Sequence, residues 1–219
     1  MSALFDKSRE KFLNGFISWQ RDPIRVMLVN HGVDNPNTAS DEWFSDISAG
    51  ARVGDGGGSA QTDMPLLTSK TFTSGVADAA DVTYTGIPAG PDLESVAVFR
   101  EVPEASGTGN TIGTPDGNGL VTITDSAALF TAAMERGWFK IAGASNGANN
   151  GVWFIATYVS TTQIQIYNPA AITETSSFSW NTEAPLIAKI DTGTGLPVLP
   201  NGGPLTGVWD SGANKIFKL

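Results

Sequence analysis

Residues 120–167 read LVTITDSAALFTAAMERGWFKIAGASNGANNGVWFIATYVSTTQIQIY, and this stretch decides the fold class. Leu120–Thr124 (LVTIT), Trp138–Ala142 (WFKIA), Gly151–Val159 and Gln163–Tyr167 (QIQIY) are short runs rich in β-branched and aromatic residues, bounded by Gly, Asn, Ser and Thr. Such runs are strands, because branched and aromatic side chains fit a pleated, half-buried surface. Between the first two, Thr124-Asp125-Ser126 offers helix-capping residues, so a helix is predicted over Ala127–Arg136.

Outward from this block the character of the chain changes. Glu101–Asn118 has almost no periodic apolar signal and reads as a linker or long loop, and Thr173–Glu183 is a second polar stretch. Beyond them the strand pattern returns in Ile24–Val29 (IRVMLV), in two strands between Leu66 and Thr85, in Leu93–Arg100, Pro185–Ile190 and Leu205–Trp209, and in the final Lys215–Leu219 (KIFKL). HGVDNPNT (31–38) and GDGGGS (54–59) are turn-rich loops around Trp43–Ile47. Leu4, Phe5, Phe12, Leu13 and Phe16, with charges between them, predict one amphipathic helix over Ala3–Asn14, stopped by Gly15. The expected architecture is all-β: an antiparallel, jelly-roll-like sandwich built from 1–102 plus 184–219, with a short N-terminal helix and a small β-rich subdomain inserted at 103–183.

Composition supports short strands joined by tight turns. In 219 residues there are 25 glycines and 12 prolines, with 41% hydrophobic and only 16% charged residues. Thirteen basic against 22 acidic residues give a net charge of −9, which repels phosphate backbones, so nucleic acid and anionic membranes are not the expected partners. The absence of cysteine removes disulfides and thiolate metal sites, so added stability is expected from packing or subunit association. No export signal is expected in the charged N-terminus, and the eight-residue run Val152–Val159 is too short to cross a bilayer as a helix.

Reactive chemistry finds little support. His31 is the single histidine, so a Ser-His-Asp arrangement has to use it, and no G-x-S-x-G elbow accompanies it. GDGGGS lacks the Lys-Ser/Thr of a phosphate loop, and GTGNTIGT (107–114) neither follows a strand nor opens a helix. Asp116-Gly117-Asn118-Gly119 reads as a tight turn, lacking the further ligands of a calcium loop. Asp46, Asp78, Glu94 and Asp191 could supply a carboxylate pair for glycoside chemistry, but nothing singles one pair out. Trp138, Trp153 and Trp209 fall inside strand patterns and are expected in the core or at an interface. No catalytic, cofactor-binding or metal-ligating residue is nominated. Phe5, Phe12, Trp19, Trp43 and Phe217 are the candidate subunit-contact residues. The helix around Phe5 and Phe12 could dock on a neighbouring subunit, whereas KIFKL is expected first as the last strand of its own sheet.

The opening FDKSREKFLNGFISWQRDPIRVMLV (5–29) and the ending LIAKIDTGTGLPVLPNGGPLTGVWDSGANKIFKL (186–219) together resemble a group of small virion proteins of tailed bacteriophages. In that group a helix of pattern K-x-x-F-L-x-G, here with Arg9 at the basic position, precedes an I-x-V-x-L-V strand. The chain then closes on T-G-L-P-V-x-P-N-G-G and W-D-x-G-x-N-K-I-F-K-L. The block from Leu120 onward is similar to a β module found in several phage structural proteins. The resemblance implies a structural component of the virion, made in the host bacterial cytoplasm, with no catalytic residues and no cofactor. It points to a capsid cement or decoration protein on the capsid surface, a homotrimer that joins copies of the major capsid protein. A tail, neck or baseplate component is the alternative in the same class, and a host-glycan-binding module the alternative in another.

Overall fold

The computed structural model describes residues 3–210 and 215–219 and is mostly β, with antiparallel sheets and a single short α-helix. Its strands run β1 (Ala3–Leu4), β2 (Ile24–Val29), β3 (Arg52–Val53), β4 (Thr71–Thr73), β5 (Val76–Asp78), β6 (Val82–Tyr84) and β7 (Ser95–Arg100). Then come β8 (Ser106–Gly109), β9 (Thr111–Ile112), β10 (Leu120–Thr124), β11 (Trp138–Ala142), β12 (Gly151–Ser160), β13 (Gln163–Tyr167) and β14 (Phe178–Glu183). The chain ends with β15 (Leu186–Ile190), β16 (Leu205–Gly207) and β17 (Phe217–Lys218); the helix α1 spans Asp6–Leu13. Two compact units divide it, one of residues 1–101 and 185–219, the other of residues 102–184.

In the outer unit five antiparallel strands take the order β1-β15-β7-β2-β3. β2 and β7 pair from Ile24 opposite Arg100 to Val29 opposite Ser95, and nearly every residue of both is buried. Their sequences are therefore continuous hydrophobic runs, as strands covered on both faces must be. The two arginines that interrupt them are matched by carboxylates: Arg25 meets Glu101 at 2.7 Å and Arg100 meets Asp22 at 3.2 Å. Two smaller sheets, β17-β5-β4 and β16-β6, complete the unit.

α1 is shorter than its apolar pattern predicts. Ala3 and Leu4 are taken as a strand opposite Lys189 and Ala188, because pairing with the edge of β15 satisfies their backbone groups in the sheet. Inside the first turn the Ser8 hydroxyl lies 2.7 Å from the Phe5 carbonyl and 2.9 Å from the Ile187 carbonyl, its one proton shared between them, which fastens the helix to β15. Gly15 stops the helix as expected, in a left-handed conformation (φ 70°) with its amide donating to the Phe12 carbonyl at 3.0 Å.

The inserted unit contains a seven-stranded antiparallel sheet ordered β8-β14-β11-β12-β13-β10-β9. Its two edges belong to one continuous segment, since only Asn110 separates β8 from β9; residues 106–112 bond β14 on one side and β10 on the other, giving a nearly closed barrel. Val121, Ile123, Phe139, Ile141, Ile155, Ile164, Ile166, Phe178 and Trp180 fill it. The Trp180 ring lies 5.0 Å from both Phe130 and Phe139.

Two expectations are corrected here. Part of the supposed linker over Glu101–Asn118 is the seam strand of the barrel. It lacks an apolar pattern because Gly107 and Gly109 leave room for large side chains: a Cβ at Gly109 would lie 2.0 Å from the Phe178 ring, and one at Gly107 would lie 2.8 Å from Trp180. Nor is Ala127–Arg136 an α-helix. The Asp125 carboxylate accepts the Ala127 amide and the Trp180 indole N–H, both at 2.7 Å, and Ala128 turns to φ 58°. Only a single 3₁₀ turn, Ala132–Met134, follows, and Phe130 and Met134 drop into the barrel core.

Candidate functional site

The two terminal segments of the outer unit meet each other. Phe217 on β17 packs tilted against Phe12 of α1 (ring centroids 5.9 Å) and edge-on against Trp19 (5.0 Å). β17 itself pairs with β5, Phe217 opposite Ala77, so KIFKL ends as a strand of its own sheet. Of the five candidate contact residues, Phe5, Trp19 and Phe217 are buried within the outer unit. Phe12 and Trp43 are half-buried. Trp43 carries the Lys11 ammonium 4.3 Å from its ring centroid, and Lys11 pairs with Glu42 at 2.6 Å; burial nevertheless holds the Lys11 ammonium below the usual lysine range.

Above this packed aromatic cluster lies an apolar groove of about 400 Å³, walled by Phe12, Leu13, Ile17, Trp19, Phe72 and Leu219. Leu13 is 88% exposed, Phe72 39% and Leu219 47%. Apolar side chains left in water in one contiguous place mark a surface for contact. The sequence reading did not single out these three. Leu13 was visible as an apolar helix position, but its outward direction depends on Phe12 taking the inner one. Phe72 sits on β4, whose three residues are all exposed.

His31 has a partner the sequence did not suggest. Its Nε2 lies 2.8 Å from the hydroxyl of Ser95, the distance of a Ser-His dyad. Ser95, however, is 0% exposed at the start of β7, and the neighbouring Glu94 carboxylate accepts the His31 backbone amide (2.7 Å). Burial, with Lys189 nearby, lowers the imidazole below its ordinary value. The arrangement fastens the turn after β2 to β7, with the Ser95 hydroxyl buried.

The other singled-out groups hold turns and loops together. Asp116 accepts the amides of Asn118 (2.8 Å) and Leu120 (2.9 Å), bonds that favour its charged form and lower its pKa. Asp46 accepts the amides of Glu42 and Trp43, both at 2.8 Å. Asp78 pairs with Lys215, and Asp191 lies 3.9 Å from Lys189. In GDGGGS the Asp55 carboxylate accepts the Thr85 amide at 2.6 Å, while Gly54 and Gly58 lie against Asp63, too close for any Cβ. Trp138 is buried, Trp153 packs on the barrel core, and Trp209 donates its indole N–H to the Ala80 carbonyl at 2.9 Å. Among the described residues no cluster of three or more His, Cys, Asp or Glu could hold a metal ion, and no helix is long and apolar enough to cross a membrane.

In the inserted unit Glu174 is the hub of a polar network. It accepts the amides of Ser145 (2.6 Å) and Asn146 (3.1 Å), the Asn149 side-chain amide (2.9 Å) and the Ser176 hydroxyl. These donors, the Ser176 hydroxyl foremost, pull its carboxyl down to about 2. A second cleft of the outer unit, about 860 Å³, has Tyr84, Thr192 and Thr206 in its wall. The Tyr84 hydroxyl is buried with no hydrogen-bond partner among the described residues, and burial raises its pKa.

Compared with family models, with curated proteins and with solved structures, the chain matches none of them.

Proposed function

We propose that this chain is a structural component of a tailed-bacteriophage particle, a capsid cement or decoration protein that binds the major capsid protein and copies of itself on the outside of the shell. The observation that carries the reading is the convergence of the two segments that resemble the phage group. Their aromatic residues Phe12, Trp19 and Phe217 pack together, and the apolar side chains next to them, Leu13 and Leu219, are left in water around one groove. A protein that acts through contacts needs such a surface more than it needs a reactive centre, and burial of that surface against a neighbour stabilises both partners. The homotrimer rests on the resemblance alone.

Quantitative staining of purified particles tests the reading. A cement protein is expected in hundreds of copies, and shells stripped of it should lose heat resistance and regain it when the purified chain is added back. Copies numbering only a few dozen would move the chain to the tail, neck or baseplate, and its absence from particles would overturn the proposal.

A further inference from the structure

Five asparagines are followed by glycine: Asn14, Asn118, Asn146, Asn150 and Asn201. An asparagine is most reactive in this setting, because glycine has no Cβ to keep its amide nitrogen away from the preceding side chain. Attack of that nitrogen on the asparagine Cγ closes a succinimide ring. The nitrogen's proton passes to water or hydroxide, and the side-chain nitrogen leaves as ammonia. Water then opens the ring, at one carbonyl to give aspartate and at the other to give isoaspartate. A water enters, an ammonia departs, and nothing is oxidised or reduced.

The residue that follows is the same in all five, but the structure treats them differently. The Gly15 amide donates to the Phe12 carbonyl and the Gly119 amide to the Asp116 carbonyl, both at 3.0 Å, so these two nucleophiles are engaged. Asn150 is held at both ends of its side-chain amide: Oδ1 accepts the Ala144 amide and Nδ2 donates to the Ala144 carbonyl, both at 3.0 Å. Its neighbour Gly151 is already in register with Ile141 in the barrel. Asn146 is half-buried, the Glu174 carboxylate accepts its backbone amide at 3.1 Å, and Gly147–Asn149 after it is wound into a 3₁₀ turn.

Asn201 has none of these restraints. It and Gly202 are exposed in the loop between β15 and β16. The Gly202 amide makes no hydrogen bond among the described residues, and a Cβ placed on Gly202 (φ 89°) would meet nothing within 4 Å, so the ring has space in which to close. One contact favours the reaction: the Gly203 amide donates to Asn201 Oδ1 at 3.1 Å. That oxygen takes up negative charge when Cγ is attacked, and an amide donor already in place stabilises the charge as an oxyanion hole does. Asn146 has the equivalent donor, the Ala148 amide at 3.1 Å, without the freedom to move.

We infer that Asn201 is a site of self-modification, converting to aspartate and isoaspartate in the folded chain ahead of the other four. The product adds a carboxylate to a chain of net charge −9. Isoaspartate also lengthens the backbone by a carbon atom where the chain passes from β15 to β16. The inference is independent of the particle role.

Peptide mapping by mass spectrometry of the purified full chain, aged at mildly alkaline pH, tests it. The peptide holding Asn201 should exchange NH for O, a gain of about 1 Da. It should do so at least about tenfold faster than any of the other four, since an intact hydrogen bond restrains a reacting group by up to about that factor. In guanidinium chloride, with the chain unfolded, the five should react at similar rates. Asn201→Gln, whose longer side chain would have to close a larger ring, should abolish the leading product and leave the thermal melt unchanged. A lead taken by any of the other four overturns the inference, and so does an Asn201 that leads as strongly in the unfolded chain as in the folded one.

Discussion

Tyr84 buries a phenol hydroxyl that meets no acceptor among the described residues. An unmet buried donor costs about 1–3 kcal/mol, so Tyr84→Phe should raise the unfolding free energy by about 1 kcal/mol in urea titrations; a loss of stability would reveal a partner for the hydroxyl. Glu174 makes the opposite case. Its carboxyl is held at about 2 in the folded chain against an ordinary 4.5. A depressed folded value means that the stabilisation is complete above the unfolded value, near pH 4.5, and is lost as the pH falls toward 2. Glu174→Gln should therefore destabilise the inserted unit at pH 7, by about 2 kcal/mol for the loss of charged hydrogen bonds. The gap between the two proteins in thermal melts should close as the pH is lowered from 5 to about 2. A gap that stays constant over that range would show that the charge of Glu174 does not matter. Neither residue was legible in the sequence, because each owes its role to partners distant along the chain. For Glu174 these are Ser145, Asn146 and Asn149. The same holds for His31, whose neighbour Ser95 is brought to it by the β2–β7 register.

Strands with side chains that announce them were readable as elements: Ile24–Val29, Trp138–Ala142, Gln163–Tyr167 and Phe217–Lys218 all stand where their β-branched and aromatic residues placed them. β14 (Phe178–Glu183) and β8 escaped. β14 lies in the stretch Thr173–Glu183, read as polar because its inward Phe178 and Trp180 alternate with Ser, Asn and Thr, and the task of β8 is to have no side chains. In β8 the pattern is Ser-Gly-Thr-Gly, and the apolar residues that belong to its inner face, Trp180 and Phe178, are supplied from β14 across the ladder. Gly109→Ala should destabilise the inserted unit by about 3 kcal/mol, the upper range for overpacking a core. Fluorescence of the buried Trp180 should follow its unfolding, and an unchanged melt would mean that the barrel seam can open without loss. The helix predicted over Ala127–Arg136 failed for a related reason. Asp125 has the residue type of a helix cap, but its second oxygen is claimed by Trp180, and a capping residue committed to a distant indole builds a turn instead.

For the molecule as a whole, composition and strand pattern read as all-β, and the structure is all-β with one short helix. The groove was not legible, because exposure is a property of packing: Phe12 and Leu13 are adjacent apolar residues on one helix, and only the position of Phe217 and Trp19 decides which of them is left outside. β7 and β15 are neighbours in the outer sheet although residues 102–184 separate them in the chain. The Arg100 amide donates to the Pro185 carbonyl at 3.0 Å, so the points where the chain leaves and re-enters the sheet are already joined. Replacing 102–184 by a short Gly-Ser linker should leave a folded outer unit with its β circular-dichroism signal and a cooperative melt, since a short loop closes that gap at low entropic cost. Loss of the cooperative transition would show that the five-stranded sheet depends on the insertion.

That same junction sets how the chain answers tension. Antiparallel partners gripped at one shared end separate like a zipper, each bond bearing the full load in turn, whereas strands drawn from opposite ends share it in shear. A pull delivered through residues 102–184 reaches the sheet at Arg100 and Pro185 together. The weak direction of the five-stranded sheet is thereby fixed, and an optical-trap experiment with handles at Arg100 and Pro185 should find it yielding at far lower force than one with handles at Ile24 and Ile190, which lie at opposite ends of their strands.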